Sequence, residues 1–99
     1  MTALTSKQKK YLKSLAHHLK PVVYIGKLGL TDNVIVELDR TLNSHELIKL
    51  KFIDFKDEKK ELSNAISEKS GSIVVSLIGN ILILFRQNKD EDKRKITLK

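Results

Sequence analysis

Two apolar runs, Ile73–Ile78 and Ile81–Phe85, meet at the dipeptide Gly79-Asn80, and this constrains the chain more than any other feature. Gly-Asn suits a tight two-residue connection, so the runs read as a β-hairpin. Both faces of the hairpin are apolar, and a half-exposed sheet would instead alternate. Such strands are expected to lie centrally in a sheet with cover on both sides.

The rest of the chain holds three segments of helical period to supply that cover. Thr5-Ser6-Lys7-Gln8 has the form of a capping box and starts the first helix. Tyr11, Leu12, Leu15, Ala16 and Leu19 form its buried stripe, and Pro21 stops it. Val22–Ile25 is a short β-branched and aromatic strand. Thr31 caps a second helix whose core face is Val34, Ile35, Leu38 and Leu42, running to about Asn43. From Glu46 to Ile53 the pattern alternates, with Ile48, Leu50 and Phe52 on one face and Leu47, Lys49 and Lys51 on the other. Asp57 can cap a third helix carrying Leu62, Ala65 and Ile66 inward and ending at Gly71.

The expected order is therefore α-β-α-β-α-β-β, a single α/β (α+β) domain over residues 1–86 followed by a charged, flexible tail over 87–99. With 99 residues, 40% of them hydrophobic, there is material for one core. The absence of cysteine removes disulfide or thiolate-zinc support. No apolar run reaches the length of a membrane span and no signal-peptide pattern opens the chain, so a cytoplasmic protein with no membrane partner is expected.

The net charge of +7 is unevenly placed. Residues 1–36 hold six lysines against one acid, Asp32, whereas residues 37–99 hold 13 basic and 11 acidic residues. A local excess of this kind suits a polyanion, although basic charge also serves solubility alone. Three groups of residues are candidates for nucleic-acid contact. In the first, Gly26-Lys27-Leu28-Gly29 joins a strand to a helix, where glycines allow close backbone approach and Lys27 adds charge. An ordinary turn has the same composition, and Asp32 opposes an anion at the helix start. In the second, Lys10, Lys13, His17 and Lys20 follow 3-4-3 spacing along one side of the first helix without an interleaved acid. Their mutual repulsion gives nothing to stability, which favours a polyanion partner over a merely solvated face. In the third, Lys49 and Lys51 share the polar face of the second strand, where lysine also guards a strand against stray pairing.

Nothing resembles a catalytic or cofactor site. The adjacent His17 and His18 point to different sides of a helix, and neither HExxH, GxxxxGK[ST] nor GxGxxG occurs. No metal, cofactor, small-molecule substrate or enzymatic activity is expected.

Several stretches in order resemble the CRM domain, the chloroplast RNA splicing and ribosome maturation module, in its stand-alone bacterial YhbY-like form. They are Leu4-Thr5 through Gln8, Ala16-His17-His18-Leu19-Lys20-Pro21, Ile25-Gly26-Lys27-Leu28-Gly29-Leu30-Thr31 and His45-Glu46-Leu47-Ile48-Lys49-Leu50-Lys51. The resemblance covers about residues 4–86. It implies a four-stranded mixed sheet with flanking helices, similar to KH domains and to the C-terminal domain of translation initiation factor three. It further implies RNA as partner, specifically ribosomal RNA in precursors of the large (50S) subunit, with Gly26 through Gly29 as the RNA contact. The expected function is thus a non-catalytic RNA-binding assembly factor, monomeric when free. A protein-interaction module that docks on a ribosomal protein or RNA-processing enzyme is the alternative.

Overall fold

The computed structural model describes residues 3–98. Its elements follow the expected order: α1 (Ser6–Ala16), β1 (Pro21–Ile25), α2 (Asp32–His45), β2 (Leu47–Phe52), α3 (Lys59–Ser70), β3 (Ile73–Ile78) and β4 (Ile81–Phe85). Short 3-10 turns at Lys56–Glu58 and Glu91–Lys93 complete it. The four strands form one mixed sheet in the order β1-β2-β4-β3, with β1 parallel to β2 and the other pairs antiparallel.

The hairpin forms where its sequence places it, with Gly79 at φ 58°. Only one of its strands is central. β4 lies between β2 and β3 and is buried almost throughout, whereas β3 forms an edge. A register shift between Val74 and Ser76 marks β3, and irregularity is a common property of edges. Pro21 opens the opposite edge strand, where its missing N–H costs no ladder bond.

The two sheet faces are covered unequally. Val23, Ile25, Ile48, Leu50, Phe52, Leu82 and Leu84 point to one side and pack with Leu38 and Leu42 of α2 and Ile66 of α3. On the other side Leu47, Ile83, Phe85 and Val75 pack with Leu12 and Ala16 of α1. α1 and the later Ile96 and Leu98 cover only part of that second face, and Tyr24, Lys51 and Ile78 on it stay exposed.

Three local expectations are corrected. The first helix ends at Ala16, with His17 as its cap, and does not continue to Pro21. Leu19 lies beyond the helix and is 39% exposed; Leu15, within it, is 38% exposed, while Leu12 and Ala16 carry the buried contact. The second helix runs two residues past Asn43, to His45. Asp57 lies inside the 3-10 turn and caps nothing; α3 follows directly from Glu58 without a side-chain cap. The Thr5 capping box, the Thr31 cap and the Gly71 left-handed terminus form as expected.

The segment after β4 is tethered to the domain. Glu46, at the end of α2, is 1% exposed and takes a left-handed φ of 61°. Its carboxylate accepts backbone hydrogen bonds from Asn88 at 2.6 Å, Lys95 at 2.6 Å and Ile96 at 3.0 Å. Ile96 and Leu98 then pack against the α1-side cluster. Arg86 fastens the root of this segment, donating to Asp39 Oδ1, Asn43 Oδ1 and the carbonyls of Ser70 and Asp39 at 2.8–3.0 Å.

Candidate nucleic-acid interface

Neither α1 nor any of the four strands contains an aspartate or glutamate. The chain's 12 acids sit instead on α2, α3, the connecting loops and the terminal segment. Since α1 and the open part of the sheet lie on the same side, that side carries basic charge with no carboxylate among the residues of its elements. The asymmetry inferred along the chain is therefore an asymmetry in space.

Two hollows on this side are lined by its basic residues. One, of about 510 Å³, follows α1 along β3 and is lined by Lys7, Lys9, Lys10 and Lys13 with Val75 and Ser76. The other, of about 250 Å³, lies where α1 ends and is lined by Lys13, His17, Lys49, Ile78, Ile81 and Ile83. Tertiary structure thus brings Lys49 of β2 to Lys13 and His17, although more than 30 residues separate them in sequence. Lys51 is exposed one step along the same strand face.

Lys20 does not join this group. The helix has ended by then, and Lys20 lines a separate apolar hollow of about 590 Å³ with Leu15, Leu19, Val22 and His45. The expected stripe of Lys10, Lys13, His17 and Lys20 is therefore three residues long on the basic side. Lys7 and Lys9 extend it toward the helix start.

The glycine loop has its own constraints. The Gly29 N–H donates to the Gly26 carbonyl at 3.0 Å, closing a turn with Lys27 and Leu28 at its tip. Leu28 is 86% exposed. Gly29 has φ 72°, and a Cβ there would lie 3.3 Å from the Phe55 ring, so this glycine answers an internal demand. A Cβ on Gly26 would meet nothing within 4 Å, which leaves Gly26 open to approach from outside. Phe55 reaches the loop because the Ile25 carbonyl accepts from both Ile53 and Asp54, which folds the end of β2 against the end of β1. Phe55 itself holds a left-handed backbone at φ 59°, a costly state for a bulky residue. Lys27 shares a shallow hollow with Asp54, Phe55 and Glu58, so two carboxylates offset its charge. On the far helix layer, the Arg40 guanidinium donates to Glu37, lowering the Glu37 pKa and raising that of Arg40.

Tyr24, Ile78 and Ile81 carry no mark in the sequence that sets them apart from ordinary strand residues. Register places them with Lys51 in one row across all four strands: Tyr24 opposite Lys51, Lys51 opposite Ile81, and Ile81 opposite Ile78. Tyr24 and Ile78 are 51% and 54% exposed. Alternation within each strand gives their orientation, but only strand order shows that α1 leaves the row uncovered.

Among the described residues no group of three or more His, Cys, Asp or Glu could hold a metal ion, and no helix is long and apolar enough to cross a membrane.

The fold and the basic face together define a small α+β domain with a sheet and first helix free of acids. The chain belongs to the CRS1 / YhbY (CRM) domain family, whose model matches residues 4–86. It is 47% identical over 91 residues to a Haemophilus influenzae chain named "RNA-binding protein", covering 91% of this chain and 92% of that one. A Pseudomonas aeruginosa chain named "probable RNA-binding protein" is 42% identical, with 92% and 88% covered. A Bacillus subtilis chain of the same description is 38% identical, with 88% and 92% covered. The solution structure of a hypothetical protein from Staphylococcus aureus superposes with a TM-score of 0.78 at 40% identity, covering 95% of this chain and 99% of that one. The mixed sheet with flanking helices expected from the sequence is the fold of this protein.

Proposed function

We propose that this protein is a non-catalytic RNA-binding factor that acts on ribosomal RNA in precursors of the large subunit. The observation that carries the reading is the acid-free face formed by α1 and the open part of the sheet. Lys10, Lys13, Lys49 and Lys51 supply its charge, with His17 among them and Lys7 and Lys9 at one end. Phosphate neutralisation releases counterions, so a face of this kind favours a polyanion without needing any bound group. The names of the relatives support RNA as that polyanion. The ribosomal assignment rests on the CRM family resemblance, as does the contact through Gly26, Lys27, Leu28 and Gly29. The protein works as a monomer in the cytoplasm before it meets the particle.

Binding of large-subunit rRNA fragments measured across a salt series tests the reading. Affinity should fall linearly in log-log form, with a slope of about −0.7 for each phosphate neutralised on a single strand. A flat salt dependence, or no binding at low salt, removes the proposal. Gradient sedimentation of cell extracts tests the assignment, which requires the protein on incomplete large subunits and its absence from mature ribosomes.

One observation favours a second reading, a protein-docking module. The hollow of about 590 Å³ beside β1 exposes Leu15, Leu19 and Val22 together. A pair of substitutions there, Leu15→Ser with Leu19→Ser, would abolish particle association while leaving naked-RNA affinity intact if docking on protein were the main function.

A further inference from the structure

Resting on the RNA-binding reading, we infer that the open half of the sheet is a platform for unpaired nucleobases, with the hollow at the end of α1 as its centre. The floor of that hollow is apolar, made by Ile78, Ile81 and Ile83, and its rim is polar, made by the cationic Lys13 and Lys49 with the His17 imidazole. Ile83 is buried and Ile81 half-buried, but Ile78 is 54% exposed, and a surface that served only phosphates would gain nothing from an isoleucine in water. A nucleobase has an apolar face and carries its phosphates at its edge, which matches a floor and rim of this kind. A duplex hides its base faces within the stack and cannot use the floor.

Tyr24 extends the platform. It lies in the same row as Lys51, Ile81 and Ile78, on the β1 side of the sheet. Its hydroxyl donates to the Pro21 carbonyl at 3.2 Å, which directs the phenol back along its own strand while half of the residue remains exposed. A ring held in this way loses little freedom when a base stacks on it. No carboxylate occurs in any of the four strands or in α1, so no side chain of these elements repels an approaching phosphate. The occupant is thus a single-stranded RNA segment, with one base over the isoleucine floor and another against Tyr24.

Three variants, each tested with a short single-stranded RNA and with a blunt RNA duplex of equal charge, decide the matter. Tyr24→Ala should lower single-strand affinity about 10-fold or more, the usual effect of losing one stacking partner, and Tyr24→Phe should restore it. Ile78→Lys separates a platform from a simple electrostatic surface, because it adds positive charge while removing apolar floor. A platform predicts weaker single-strand binding with duplex binding unchanged or stronger; a purely electrostatic face predicts that both strengthen. Ile78 stands at an exposed strand end, and a melting curve like that of the wild type establishes that its fold is kept. If Tyr24→Ala and Ile78→Lys bind the single strand no less tightly than wild type, the platform is overturned while RNA binding stands. Variants that leave both RNA forms unaffected but lose a protein partner would likewise overturn it, assigning the hollow to a protein segment. Failure of the wild type to bind either RNA would remove the RNA-binding reading together with the platform.

Discussion

A Cβ on Gly29 would sit 3.3 Å from the edge of the Phe55 ring, so the glycine loop is shaped from beneath by the chain that follows β2. The positive φ of 72° imposes a second demand on the same residue. Gly29→Ala should therefore cost about 1–2 kcal/mol. In a domain of this size that lowers the melting temperature by roughly 5–10 °C. Gly29→Asp should be worse in stability as well as in RNA binding and cannot separate the two. Gly26→Asp can, because Gly26 has open space around it. Gly26→Asp should melt like wild type and bind RNA several-fold more weakly; an unchanged affinity would take the loop out of the RNA surface.

Glu46→Gln should destabilise the protein strongly. Its carboxylate accepts from three backbone N–H groups while almost wholly buried. An amide turns one of those acceptors into a donor facing another donor. The expected cost is about 2–4 kcal/mol, read by thermal or denaturant unfolding. Ending the chain at Gln87 should also lower stability, since Ile96 and Leu98 leave the α1-side cluster. Equal melting of the shortened and full chains would show that this segment adds nothing to the fold.

Arg86 carries positive charge but should have no part in RNA binding. Its guanidinium is spent on Asp39, Asn43 and the Ser70 carbonyl, tying α2, the end of α3 and the end of β4 together. Arg86→Lys keeps the charge and loses the forked geometry, which should cost about 2 kcal/mol with RNA affinity at 25 °C unchanged. Asp39→Asn should cost less than about 1 kcal/mol, because that partner is 63% exposed and the pair is screened. A large affinity loss in a folded Arg86→Lys protein would contradict the assignment.

Lys13→Glu and Lys20→Glu make the same charge change with different expected outcomes. Lys13 borders both hollows of the basic face, whereas Lys20 lines the apolar hollow beside β1. Lys13→Glu should weaken RNA binding about 10-fold without lowering the melting temperature, since it relieves repulsion within α1. Lys20→Glu should have a markedly smaller effect. Equal losses from the two would mean that the RNA surface extends around the end of α1.

Local chemistry along the chain determined most of the fold. The Thr5 capping box, the Thr31 cap, the Gly71 terminus and the Gly79-Asn80 connection each depend on groups within a few residues of one another, and each appears in the structure as expected. The acid-free composition of α1 and the strands is likewise legible from sequence. Tertiary structure decided which of two similar apolar strands is central: β4 gains a neighbour on each side and β3 only one. It also decided which apolar residues of the first helical segment reach the sheet, Leu12 and Ala16 rather than Leu15 and Leu19. Glu46 could not be recognised as a buried anchor for residues more than 40 positions away, since its partners are backbone N–H groups without a side-chain signature. The row of Tyr24, Lys51, Ile81 and Ile78 follows from strand order, and its exposure from where α1 docks on the sheet, and both depend on the packing of the whole chain.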